Sequence, residues 1–168
     1  MHITIITGEI DSGKTTYLSH MIEKIDSRER IAGIIAHGLY EPGKTRKSGF
    51  SIESLATGEE RMLLYSTQGE RTLAVGRFFM SQENLLWAID ELYASKEATA
   101  IVIDELGPLE LQRRGYYDVV NWILRSWDGR ELFLVIRTEL LDKILDIFHL
   151  DAYKYTIVYI NKNKRTIT

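Results

Sequence analysis

The 168-residue chain contains no cysteine. That absence removes disulfides, thiolate zinc sites and cysteine nucleophiles together, and it fits a reducing compartment. Its four histidines, His2, His20, His37 and His149, fall at no paired metal-ligand spacing, so a histidine-built metal centre is not expected. No apolar run approaches the length that crosses a bilayer, and the opening MHITIITGEI has no basic segment ahead of a long apolar one. A cytoplasmic location is the expectation. Nor is charge one-sided: 21 basic against 24 acidic residues leave a net charge of −3. No global field then draws the chain to nucleic acid or an anionic membrane, and a nucleic-acid role would need a local patch.

What is present is the composition of an ordinary globule, 45% hydrophobic and 27% charged. The length suits one domain over 1–168, with room for a real core. Residues 2–7 form a short, β-branched, nearly continuous apolar run, the pattern of a strand covered on both faces. RIAGIIAHG, TAIVIDE and ELFLVIR are of the same kind, and a last strand is expected over 153–160. Helical spacing separates them: Leu18, Met21, Ile22 and Ile25; then Leu85, Leu86, Ile89 and Leu92 behind a capping Ser81. Val119, Val120, Ile123 and Trp127 follow, and finally Leu141, Ile144, Leu145 and Phe148 behind Thr138.

Buried strands alternating with amphipathic helices predict a three-layer α/β fold with a mostly parallel central sheet. One part breaks the alternation. SGFSIESLATGEERMLLYS holds two strand-like runs around TGE, a small antiparallel hairpin insert over about 49–66 with its turn near Gly58. The polar HGLYEPGKTRK ahead of it reads as a mobile loop. Trp87, Trp122 and Trp127 sit in helical patterns and suit core packing, while Glu83, Asp90 and Glu91 suit a wet helix face.

Between the first strand and the first helix, Gly8 to Thr15 match G-x-x-x-x-G-K-[ST]. Glycines let the backbone curl until several N–H groups face one anion, and the helix beginning there adds its positive end. Gly8, Glu9, Ile10, Asp11, Ser12, Gly13, Lys14, Thr15 and Thr16 are therefore the expected nucleotide-binding residues. Lys14 would face the β and γ phosphates, Thr15 would give its hydroxyl to Mg²⁺, and Thr16 would reach the α phosphate.

IVIDEL supplies the second part. An acid ending a buried strand lies at the carboxyl edge of the sheet, where ligands bind in open α/β folds. Asp104 would complete the magnesium shell, and Glu105 is placed to orient and deprotonate a water attacking the γ phosphate. Phosphoryl transfer also wants a cation on the developing charge. Arg46, Lys47, Arg113, Arg114 and Arg137 are candidates, with Arg113 and Arg137 leading by position. Asn161 to Lys164 read NKNK, where a guanine-reading N-K-x-D would end on aspartate. Lys164 is a pure donor, so selective guanine binding is not expected.

Taken together, TGEIDSGKTT, GFSIESLATGEE, VGRFFMSQENLLWAIDEL and above all IVIDELGPLEL resemble the small thermophile-type nucleoside triphosphatases, a family with a human cancer-related homologue. The resemblance runs from residue 1 to about 120 and more loosely beyond. It implies a P-loop fold with an extra strand between the nucleotide strand and the acidic strand. It also implies Mg²⁺-dependent hydrolysis of ATP, GTP and other triphosphates with loose base choice. Lys14, Thr15, Asp104 and Glu105 match the family's functional positions, and Glu110 matches as well. HGLYEPGKTRKSGF departs from the acidic, arginine-rich pattern expected there. Two other readings stay open: a small-molecule kinase whose loop and hairpin bind an acceptor, and a nucleotide-gated binding module.

Overall fold

A computed structural model describes residues 1–25, 30–41, 43, 46–126 and 130–161, with the backbone of 164–167. In chain order the elements are β1 (His2–Gly8), α1 (Lys14–Ile22), β2 (Ile31–Tyr40), β3 (Lys47–Ser54) and β4 (Glu60–Tyr65). Then follow β5 (Thr72–Val75), β6 (Phe78–Ser81), α2 (Gln82–Ala94), β7 (Ala100–Leu106) and α3 (Pro108–Leu111). The last are α4 (Tyr117–Ser126), β8 (Glu131–Arg137), α5 (Leu141–Ile147), β9 (Lys154–Asn161) and β10 (Lys164–Ile167).

Among the described residues the ten strands form one sheet, ordered β10-β9-β1-β8-β7-β2-β3-β4-β6-β5. Its middle, β9, β1, β8, β7 and β2, is parallel throughout. β1, β8, β7 and the first half of β2 are the strands whose apolar runs are nearly continuous, because both faces are covered; β9 begins with exposed Lys154 and Tyr155. Ile3 and Ile5 of β1 enter one core with α2, α4 and α5; Ile6 enters the other with Leu18 of α1; all four are fully buried. Burying each such side chain stabilises the fold by about 1.5–3 kcal/mol. β8 stands between β1 and β7, the extra strand that the resemblance implied.

The antiparallel part is larger than a hairpin. β3 and β4 occupy the expected 49–66 region, with Gly58 in its turn at φ 72°. Two four-residue strands, β6 and β5, then extend the sheet beyond β4. Such short, half-exposed runs carry too few residues to show a period. The segment expected as a mobile loop is also reassigned in part: His37 to Tyr40 continue β2, and Lys47 opens β3. Positions 42, 44 and 45 of that segment lie outside the described residues, as do Trp127 and residues 162 and 163 of NKNK.

At the helix starts, Ser81 caps α2 by accepting from the Asn84 amide at 3.2 Å. Thr138 instead begins a short 3₁₀ turn, Thr138–Leu140, that precedes α5; its hydroxyl lies 3.4 Å from that of Thr7. Leu86 is 61% exposed, so the buried stripe of α2 runs through Ala88 and Leu92. Glu91 is not wholly wet, since its carboxylate accepts from the Ser54 hydroxyl. Register sets the functional edge: Gly8 lies opposite Arg137 on one side and Ile160 on the other, and Asp104 lies opposite Val135.

Candidate functional site

The glycine-rich loop leaves β1 at this edge and turns directly into α1. Ser12 N donates to Glu9 O at 3.2 Å, closing the turn. Asp11 and Gly13 adopt left-handed conformations, φ 58° and 94°. Glycine reaches that region without steric cost, which explains its place at residue 13. No side chain caps α1 at Gly13. The first amides of the helix thus form the ready anion site of a strand–loop–helix junction. Glu9, Ile10, Asp11, Gly13 and Thr16 are exposed, whereas the Ser12 hydroxyl is buried with no hydrogen-bond partner among the described residues.

Lys14 folds across the loop, its Nζ donating to Gly8 O at 3.1 Å and Glu9 O at 2.7 Å. It is 8% exposed. Burial lowers its pKa, opposed by the charges of Glu105 and Asp104 and assisted by Arg137. Those four charged groups therefore share one electrostatic neighbourhood.

Thr15 Oγ1 donates to Asp104 Oδ2 at 2.9 Å, joining the loop to the end of β7. The same oxygen accepts from Ala36 N at 3.2 Å. Asp104 is 4% exposed, and burial pushes its pKa up to about 6 against those hydrogen bonds. A carboxylate so short of water, paired with a hydroxyl oxygen, is a hard donor set that a small divalent cation would compensate. Mg²⁺ fits these residues.

Glu105 occupies a bulge. The β7–β8 register shifts between Asp104 and Leu106, leaving Glu105 as the extra residue, the device by which a strand end re-aims a side chain. Its carboxylate pairs with Arg137 Nε, and Arg137 Nη1 lies 3.8 Å from Glu139 Oε1. The edge thus gathers Lys14, Thr15, Asp104, Glu105 and Arg137. Arg113 is placed elsewhere, its guanidinium 5.9 Å from the centre of the Tyr117 ring, and no bond joins it to that cluster among the described residues.

Three contacts were not legible in the sequence, although Lys47 stood among its candidate cations. Ala36 N anchors Asp104 from β2, a long-range contact with no local signature. Lys47 reaches from β3 to Asp11 of the loop, Nζ to Oδ1 2.5 Å. Glu110, noticed only through the resemblance, is 3% exposed and clamps the segment after β7. Its Oε2 accepts from Gly107 N at 2.7 Å and its Oε1 from Tyr116 N at 2.9 Å. The signal available was an acid three residues beyond the glycine that precedes a helix.

A phosphate loop after the first strand, with an acidic pair closing a strand two places away in a parallel sheet, defines a P-loop nucleotide-binding protein of the α/β class. The family described as NTPase matches residues 3–167, and the chain belongs to it. It is a nucleoside-triphosphate phosphohydrolase of that family. Among its relatives is the nucleoside-triphosphatase THEP1 of Methanocaldococcus jannaschii, 32% identical over 164 residues, 95% of this chain and 89% of that protein. Another, from Archaeoglobus fulgidus and bearing the same name, is 28% identical over 160 residues, 95% of this chain and 91% of the relative.

Two solved structures share the fold. The crystal structure of THEP1 from Aquifex aeolicus superposes with a TM-score of 0.71 at 20% identity, covering 97% of this chain and 91% of that one. The solution structure of a human cancer-related nucleoside triphosphatase gives a TM-score of 0.65 at 18% identity, covering 92% and 87%.

Proposed function

We propose that the chain is a Mg²⁺-dependent, single-domain triphosphatase that hydrolyses ATP, GTP and other nucleoside triphosphates to diphosphate and phosphate with loose base choice. The observation that carries this reading is the 2.9 Å contact from Thr15 to Asp104, which brings the loop hydroxyl and the acidic strand together beside Glu105. Lys14 and the loop amides hold the β and γ phosphates, and Thr16 faces the α phosphate. Bound through Thr15 and Asp104, Mg²⁺ would supply charge stabilisation on the phosphate oxygens.

Glu105 orients a water and takes its proton as the water oxygen bonds to the γ phosphorus. The bond to the β–γ bridging oxygen breaks, and the diphosphate leaves with that electron pair. Arg137 is the cation best placed for the developing charge; Arg113 would have to leave Tyr117 to contribute. Loose base choice is supported by Lys164, a donor where a guanine-reading site needs an acceptor. The cysteine-free composition supports a cytoplasmic setting, and no described helix is long and apolar enough to cross a membrane.

The test is phosphate release with Mg²⁺ and ATP, GTP, CTP or UTP in turn, no other substrate present, alongside Lys14→Ala. Turnover on several nucleotides is expected, with loss of both turnover and nucleotide-dependent thermal stabilisation in the variant. Stabilisation unchanged by Lys14→Ala would remove the loop as the phosphate site. Binding without release would move the search to a kinase acceptor, beginning at Lys47 beside Asp11.

A further inference from the structure

Resting on that reading, we propose that Arg137 is the γ-phosphate-sensing residue of this site: it holds Glu105 until a triphosphate takes the guanidinium over, so that only a triphosphate releases Glu105 to act on water. Three observations support it. Arg137 ends β8 directly opposite Gly8, so its side chain starts beside the first residue of the phosphate loop. Its guanidinium is shared between two carboxylates, bonded through Nε to Glu105 and 3.8 Å through Nη1 from Glu139. Lys14, the other cation near Glu105, is committed to Gly8 O and Glu9 O.

Arg137 occupies one acceptor site of Glu105 Oε1 and holds the carboxylate turned toward the guanidinium. The pair is about one-third exposed on each side. It is therefore open to exchange, and a phosphoryl group accepting two parallel N–H bonds is a stronger partner for a guanidinium than a single carboxylate contact. A diphosphate ends at its β phosphorus, held by the loop, and leaves Arg137 on Glu105. A triphosphate extends toward the acidic strand and competes for it. One movement then brings a cation to the γ phosphate and frees the base.

The experiment is a double-mutant cycle on binding, not turnover. Affinities for Mg²⁺ with the non-hydrolysable β,γ-imido analogue of ATP, and for ADP, are measured on the parent, Glu105→Gln, Arg137→Met and the double variant. Thermal unfolding checks each fold, and Arg137→Lys serves as the charge-retaining partner. Removing the competing carboxylate charge should tighten the imido analogue about three- to tenfold, the scale of one partly exposed charge-assisted bond, and ADP by less than about twofold. Arg137→Met should weaken the analogue about tenfold, with partial recovery in Arg137→Lys, and in the Arg137→Met background Glu105→Gln should bring no further tightening.

Equal tightening by Glu105→Gln in both backgrounds would reduce the effect to plain charge removal and overturn the proposal. Equal shifts for the analogue and ADP would do the same. If the parent bound neither nucleotide, the triphosphatase reading would fall with it; binding without coupling would remove this inference alone.

Discussion

Replacing Asp104 by asparagine should make the nucleotide-free protein more stable at neutral pH while abolishing its response to Mg²⁺ and triphosphate. Asp104 is 4% exposed, and burial raises its pKa from 3.8 to about 6. The folded state therefore holds the proton more tightly than the unfolded chain. A salt-bridged carboxylate, with its depressed pKa, adds stability when ionised; this one subtracts it. The deficit is absent below about pH 4, grows as pH rises toward about 6, and is constant above. A shift of about two pKa units corresponds to about 3 kcal/mol.

Asparagine can keep both hydrogen bonds, since Thr15 and Ala36 donate to one oxygen of Asp104. Its amide N–H groups need acceptors of their own, which trims the expected gain to about 1–3 kcal/mol. For a chain of this size that is a rise in Tm of about 2–12 °C near pH 8, vanishing near pH 4. Scanning calorimetry across that range, with and without Mg²⁺ and the imido analogue, measures it. A variant less stable than its parent near pH 8, or an offset independent of pH, would refute the reasoning. A surviving Mg²⁺-nucleotide stabilisation would remove Asp104 from the cation site.

Two further outcomes are expected. Glu105→Gln should retain Mg²⁺-nucleotide binding while cutting hydrolysis about 10²-fold or more, read as single-turnover phosphate release; equal turnover would remove Glu105 as the base. Glu110→Gln should cost about 1–3 kcal/mol in urea unfolding, because an amide can accept from only one side while both Gly107 N and Tyr116 N donate to the carboxylate. An unchanged midpoint would mean that the clamp contributes nothing.

Much of the central architecture was legible because it rests on local signals. Residues 2–7, 100–106 and 131–137 announce strands covered on both faces, and the residues that follow Gly8 switch from strand to helical period. Gly8 to Thr15 and Asp104 stand out because phosphate binding restricts residue type at fixed offsets. What could not be read locally depends on chain segments far apart. Ala36 meets Asp104 across 68 residues and Lys47 meets Asp11 across 36. Glu105 and Arg137 were both singled out, yet no spacing in the chain says that they touch. The antiparallel part beyond β4 was underestimated because β5 and β6 are four-residue strands with mixed exposure. Thr138 misled because a residue suited to capping a helix equally suits opening a 3₁₀ turn.

The sheet ends in β10 on one side and β5 on the other, each four residues long and antiparallel to its neighbour. Among the described residues each parallel strand consequently has a bonded neighbour on both flanks, with β10 covering β9 over Val158–Asn161. Short rims of this kind are how sheet proteins resist edge-to-edge self-association. They also set where the molecule can loosen first: fraying at either rim peels away strands that carry none of Lys14, Thr15, Asp104, Glu105 or Arg137.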